Sequence, residues 1–226
     1  MKASDFFALP ESLSLFREFF PAEAQPWEWL KNIGPALQAT PFPPGGPKIP
    51  PGIHIEGPVH LDPTVRLPPS ATIIGPVWIG PGCEIRPGAF LRGNVIAGAH
   101  CVLGHVCEFK NCLLLDHVQT SHYNYVGDSV LGNGAHLGAG AICSNLRLDR
   151  GLVFASLPEG PVDTGLKKFG AILGDAVEVG CNAVLNPGSL LGRRSFVMPA
   201  MAFGGYLPPS TIARARIAIS HVPRRD

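Results

Sequence analysis

The chain is poor in charge. Of its 226 residues only 15% are Asp, Glu, Lys or Arg, and the formal net charge is +1. With no surplus of one sign there is no electrostatic footprint for nucleic acid or an anionic membrane surface, and neither is expected as a partner. No apolar run reaches the roughly eighteen residues of a membrane span. The start, Met1-Lys2-Ala3-Ser4-Asp5 and then Phe6-Phe7-Ala8-Leu9-Pro10, is too short and too acidic for a secretory leader. A cytoplasmic location is the expectation. Six cysteines occur without a Cys-x-x-Cys pair, so neither a zinc ribbon nor a disulfide framework is indicated and no bound metal is expected.

What the chain has is a six-residue period. Every sixth residue from Ile55 gives Leu61, Leu67, Ile73, Ile79, Ile85, Leu91, Ala97, Leu103, Phe109 and Leu115, all apolar in a chain that is 46% apolar. Two places before these stand small or branched side chains such as Val65, Ala71, Val77, Cys83, Ala89, Val95, Cys101 and Cys107. Six fits neither the helical period of about 3.6 nor the strand period of about 2, but it suits short extended pieces joined by tight corners. Many of the 27 Gly and 24 Pro fall at those corners, as in Gly80-Pro81-Gly82 and Pro87-Gly88, where left-handed or fixed backbone angles are useful. The period predicts an all-β solenoid whose coils stack at roughly 4.8 Å.

Three stretches depart from the period. Residues 1–50 lack it; Glu11–Phe20 and Trp27–Leu37 have helical spacing, and a Pro/Gly-rich connector follows, so a short helical cap over the first coil is expected. After Leu115 the rung falls on Ser121 and resumes at Leu131, Leu137 and Cys143, which places a loss of about two residues between 121 and 131, around His122-Tyr123-Asn124-Tyr125. Residues 146–170 leave the pattern as an excursion, with a hairpin expected near Pro158-Glu159-Gly160, before rungs return at Leu173, Val179, Leu185, Leu191, Val197 and Phe203. The expected organisation is residues 1–50, a solenoid over 51–205, and a C-terminal tail over 206–226 with a short helix through Arg214 and Arg216.

The hexads I-G-P-G-C-E, L-G-N-G-A-H and V-G-C-N-A-V, from Ile79, Leu131 and Val179, resemble those of the hexapeptide-repeat proteins. That resemblance implies a left-handed parallel β-helix with three hexads, about eighteen residues, per coil. The words E-F-K-N (108–111), H-Y-N-Y-V-G-D (122–128), L-G-A-G-A-I-C-S-N (137–145), N-L-R-L-D (145–149) and D-T-G-L-K-K-F-G-A-I-L-G-D (163–175) narrow it. Over about residues 85–205 the chain resembles the acetyltransferase domain of bifunctional sugar-1-phosphate nucleotidylyltransferases. Nothing in the first fifty residues resembles the nucleotidylyltransferase half, whose Gly-rich nucleotide loop is missing.

The resemblance implies transfer of acetyl from acetyl-CoA to the amine of an amino-sugar phosphate or a nucleotide-linked amino sugar, in a homotrimer with its sites in clefts between subunits. By match to the motifs, His122 is the general base, in the range where a neutral imidazole can take a proton from the attacking amine, and Asn145 orients that amine. Arg92, Lys110 and Lys168 match residues that hold phosphate, Tyr125 one that positions the sugar phosphate, and His136 a substrate-binding position. Cys181, Pro199, Ala200 and His221 match positions that contact acetyl-CoA, with backbone N–H groups near 181 and 199–200 as oxyanion donors. His136, Leu146, Cys181 and His221 depart from the residues usual at those places, which leaves the sugar and the CoA contacts open. Two other readings stand beside this one. One is a catalytically silent scaffold. The other is a zinc hydratase of the carbonic anhydrase type, which the His-x4-His spacings of His100/His105 and His117/His122 allow, although no third histidine lies near Pro81.

Overall fold

A computed structural model of the chain describes residues 1–216 and 222–224. From Gly52 onward the backbone winds as a left-handed parallel β-helix of about nine turns, each turn adding one short strand to each of three flat faces. The first face runs through Gly52–Glu56, Ser70–Ile74, Phe90–Arg92, the first halves of Glu108–Leu114 and Tyr125–Leu131, then Ile142–Cys143, Val184–Leu185 and Ala202–Phe203. The second runs from Val59–Leu61 through the later halves of the same two long strands to Tyr206–Leu207. The third begins at Glu84–Ile85 and passes through Val102–His105, Gln119–His122, His136–Leu137, Glu178–Val179 and Phe196–Val197 to Ile212–Ala213. Strands thus continue past residue 205. Ile212–Ala213 pairs with Phe196–Val197 as another rung, and Arg214–Arg216 is not helical.

The inward rungs form one continuous apolar core. Ile73, Ile79, Ile85, Leu91, Ala97, Leu103 and Phe109 are buried in it as the period predicts, and so are Cys83, Cys101 and Cys107. Leu115 is not. The inward residue after Phe109 is Leu114, five positions on, then Thr120 and Val126, and then Leu131, again five on. One residue is therefore lost between Phe109 and Leu114, earlier than expected, and the other between Val126 and Leu131, within the expected stretch: Asn111 and Asp128 turn these two stacked corners, each at φ 46°. Registers record the same change. Leu91 pairs with Phe109, eighteen apart, while Val95 pairs with Cys112 and Tyr125 with Glu108, seventeen apart.

Residues 1–40 cover a flank and not the end of the solenoid, contrary to the expectation of a lid on the first coil. The outward residues of the second face, Trp78, Ile96, Leu113, Val130, Ile172 and Leu190, make an apolar column. Against it pack Ala3–Asp5, the 3-10 helix Glu11–Phe19 and the α-helix Glu28–Ala39, with Phe6, Phe7, Phe16, Phe20, Trp27 and Trp29 fully buried. Phe16 stands edge-on to Trp78 at one end (5.4 Å between ring centres) and Phe6 to Tyr206 at the other (6.4 Å). Leu115 belongs to this second core.

The excursion leaves and rejoins at one corner. Its hairpin pairs Val153–Leu157 with Gly160–Leu166, and it closes where the Phe169 N–H donates to Asn145 O (2.9 Å) and the Gly170 N–H to Asp128 O (2.8 Å). No helix among the described residues is long and apolar enough to cross a membrane.

Candidate active site

The corner between the third and first faces carries a ridge of stacked residues. Backbone bonds from Tyr123 N–H to His105 O (2.9 Å), Gly140 to His122 (3.0 Å), Asn182 to Ala139 (2.8 Å) and Ala200 to Cys181 (2.9 Å) fix their order. His105, His122, Ala139, Cys181 and Pro199 therefore lie one above another on successive coils. At strand spacing, His122 and Cys181 stand roughly 10 Å apart along this ridge. Behind it Asn124, 2% exposed, braces the corner: its Nδ2 donates to Gly138 O (2.8 Å) and Ala141 O (3.2 Å) and its Oδ1 accepts from the His122 N–H (3.3 Å). The His122 ring is exposed and has no hydrogen-bond or charge partner among the described residues.

On the third face, His136, Gly138, Glu178, Gly180, Cys181, Met198 and Pro199 line a shallow groove of about 270 Å³ beside the ridge. His136 Nδ1 is 2.7 Å from Glu178 Oε2. The bare Gly138 lies under the Cys181 N–H, where a side chain would collide. Of the expected oxyanion donors only this Cys181 N–H is open: Ala200's is spent on Cys181 O, and Pro199 has none.

On the first face, Tyr125 lies flat across Gly127, whose missing side chain makes the room; a Cβ there would sit 2.5 Å from the tyrosine Oη. The ring reaches from the ridge to the excursion corner, where its Oη accepts from Asn145 Nδ2 (3.2 Å). Burial, reinforced by Glu108 and Asp128, pushes this hydroxyl above its ordinary value, so it keeps its proton at neutral pH. Asn145 Nδ2 donates also to Asp128, whose carboxylate takes Lys110 Nζ on both oxygens (3.0 and 2.9 Å) and Asn111 Nδ2 (2.9 Å).

The site residues predicted from sequence thus separate into groups. Tyr125, Asn145 and Lys110 are joined in one network, and His122 is on the ridge three residues before Tyr125. Lys168 is exposed immediately before Phe169, at the point that closes on Asn145. Arg92 lies beside Lys110 but pairs with Glu108 (2.6 Å), so the joint cationic grip expected of Arg92 and Lys110 is neutralised in both halves. Cys181, Pro199 and Ala200 are on the ridge and His136 on the adjoining groove. His221 lies outside the described residues.

Two contributors went unread in the sequence, Asp128 and Asn124. Both stand inside the H-Y-N-Y-V-G-D word, but their partners come from neighbouring coils. His100 and His117 stack face to face on a different corner (5.1 Å), and among the described residues no three His, Cys, Asp or Glu side chains gather as a metal site.

Comparison with known proteins adds the following. Residues 73–197, more than half of the chain, match the model of the GMPPB C-terminal domain. The chain is 34% identical over 94 residues to the bifunctional protein GlmU of Methanococcus maripaludis (strain C7), covering 42% of this chain and 23% of that one. It is 31% identical over 97 residues to a bifunctional sugar-1-phosphate nucleotidylyltransferase/acetyltransferase of Sulfurisphaera tokodaii, covering 43% and 24%. The chain thus spans about a quarter of the length of these relatives. A crystal structure of a hexapeptide transferase family protein from Anaplasma phagocytophilum aligns over 68% of this chain and 74% of that one at 19% identity, with a TM-score of 0.34 that lends no weight to any assignment.

Proposed function

The chain belongs to the GMPPB C-terminal domain family, and from that premise we propose that it is an acetyltransferase, moving acetyl from acetyl-CoA to the amine of an amino-sugar phosphate or a nucleotide-linked amino sugar. The ridge carries the proposal. It sets an unpartnered imidazole, His122, on the same corner as the open Cys181 N–H, with the Tyr125–Asn145 pair alongside. The Sulfurisphaera tokodaii relative, a bifunctional sugar-1-phosphate nucleotidylyltransferase/acetyltransferase, supports the acetyl half of that chemistry.

In this mechanism the pantetheine arm of acetyl-CoA lies in the groove beside Gly138, Gly180 and Met198, its thioester near Cys181. The acceptor amine adds to the thioester carbon and passes a proton to His122. The C–N bond forms, the C–S bond breaks, and CoA leaves as a thiolate that takes up a proton. The Cys181 N–H stabilises the oxyanion, a contribution of the kind that preorganised backbone donors supply. Lys168, exposed beside Asn145, meets the acceptor phosphate. A homotrimer completes each site in the cleft between neighbouring subunits.

A scaffold without activity is the second reading, favoured by the ion pairs that occupy Arg92 and Lys110. A thermal-shift screen separates the two. A ligand that binds only the folded state stabilises it by about 2.7 kcal/mol at a hundred times its Kd. Acetyl-CoA and glucosamine-1-phosphate are each expected to raise the melting point, and sedimentation to give three times the chain mass. A stable monomer indifferent to both ligands would favour the scaffold.

A further inference from the structure

Asp128 is the most buried carboxylate of the site, its side chain 6% exposed. It stands at the second of the two shortened corners, with left-handed backbone. Its neighbours in the same corner column are Asn111, seventeen residues before, and Asn145, seventeen after, and both turn their Nδ2 toward it. An amide nitrogen has two N–H groups. In Asn145 both are committed, one to Asp128 and one to Tyr125 Oη. The Asn145 side chain therefore has a fixed sense: Nδ2 faces the network, and Oδ1 is left with no partner among the described residues.

This sense matters for an attacking amine. A neutral primary amine must aim its lone pair at the thioester carbon, so its two N–H groups need acceptors placed to either side. An imidazole nitrogen supplies one and a carbonyl oxygen can supply the other. An amide turned the other way would donate to the lone pair and suppress attack. Only an acceptor-only group at 128 enforces the useful orientation: a carboxylate cannot donate, whereas an asparagine of the same shape could accept or donate. Lys110, held on the same carboxylate, supplies the balancing charge that makes burial of Asp128 tolerable.

We propose that Asp128 is a positioning residue of the transfer reaction: its carboxylate locks the Asn145 amide with Oδ1 toward the acceptor, where it takes one N–H of the attacking amine while His122 takes the other. The proposal rests on the acetyltransferase reading above, and its test distinguishes the two. The test is a double-mutant cycle on full-length protein, with acetyl-CoA and glucosamine-1-phosphate as substrates, built from Asp128→Asn, Asn145→Ala and both together. Asp128→Asn is expected to lower kcat about thirtyfold with the acetyl-CoA KM within about twofold of wild type, and Asn145→Ala to lower kcat about a hundredfold. In the double variant the expected kcat is within about twofold of Asn145→Ala alone, because Asp128 has nothing left to orient. A structural brace would instead multiply the losses, to a few thousandfold. That result, or an Asp128→Asn enzyme with wild-type kcat, overturns the proposal while leaving the acetyltransferase reading intact. A wild-type protein that acetylates no amino-sugar phosphate overturns both. If Asp128→Asn does not fold because Lys110 is left unpaired, the cycle is run in a Lys110→Met background, where the same non-additivity is expected and multiplied losses again refute the assignment.

Discussion

At the scale of single residues, the site depends less on which groups are present than on which are already engaged. Lys110 and Arg92 carry the positive charge expected near a phosphate, yet each is tied to a carboxylate within a few ångströms, whereas His122 and Lys168 have no such partner among the described residues. Cys181 is exposed at a corner, the one thiol of the chain outside the two cores, and it invites a ping-pong scheme through an acetyl-cysteine. Its side chain has no hydrogen-bonded base among the described residues, and in the proposed direct transfer its part belongs to its backbone N–H. Cys181→Ser is therefore expected to retain at least a tenth of wild-type turnover, a barrier change of about 1.4 kcal/mol or less. Loss of turnover in Cys181→Ser, together with an acetylated wild-type enzyme seen by intact mass, would require the covalent route. Motif words alone picked out His122, Tyr125 and Asn145, because each stands in a distinctive string. Asp128 stood in the same string and its use was not legible. Its two amide partners, Asn111 and Asn145, are seventeen residues before and after it, where the hexad as read predicted eighteen.

At the scale of elements, one surplus and one deficit shape the molecule. The deficit is the residue missing from each of the corners at Asn111 and Asp128, which changes the coil length from eighteen to seventeen and brings 94, 111, 128 and 145 into one column. The surplus is the excursion, inserted at that same column directly after Asn145. Both were visible as breaks in a period, but a period shows only that register is lost somewhere, and the position assigned to the first loss was too late. The N-terminal segment shows a different limit. Its helical spacing announced a cap, while the surface that receives it, Trp78, Ile96, Leu113, Val130, Ile172 and Leu190, is a column of outward positions that no inward rung reveals. Trp29 ties this segment together: it is 1% exposed, donates its Nε1–H to Pro21 O (3.0 Å) and packs on Phe7 and Phe20. Trp29→Ala should cost about 3–5 kcal/mol of the segment's packing. Limited proteolysis is expected to release residues 1–40 before the solenoid is cut. Simultaneous digestion of both would show that the segment and the coils unfold as one unit.

At the scale of the whole molecule, the solenoid is a ruler. Each coil contributes one residue to each column, and the ridge from His105 to Pro199 is a column along which a long thioester ligand could extend while its reactive end meets the base. The inward rungs and the resulting class of fold were legible from the hexad because every sixth residue from Ile73 to Phe109 is buried in one core. The proposed activity rests on motif words and not on the fold, since fold and function are separable on such a scaffold. The central claim is that His122 on this ridge takes a proton from an amine during acetyl transfer. Its most direct test is the mass of the product formed from acetyl-CoA and glucosamine-1-phosphate by wild-type and His122→Ala protein at neutral pH. The account predicts an N-acetylated sugar phosphate with stoichiometric release of CoA thiol from the wild type, and a rate lower by about a hundredfold or more in His122→Ala, whose melting point is unchanged because the ring is exposed and unpartnered. Equal rates in the two proteins would contradict it.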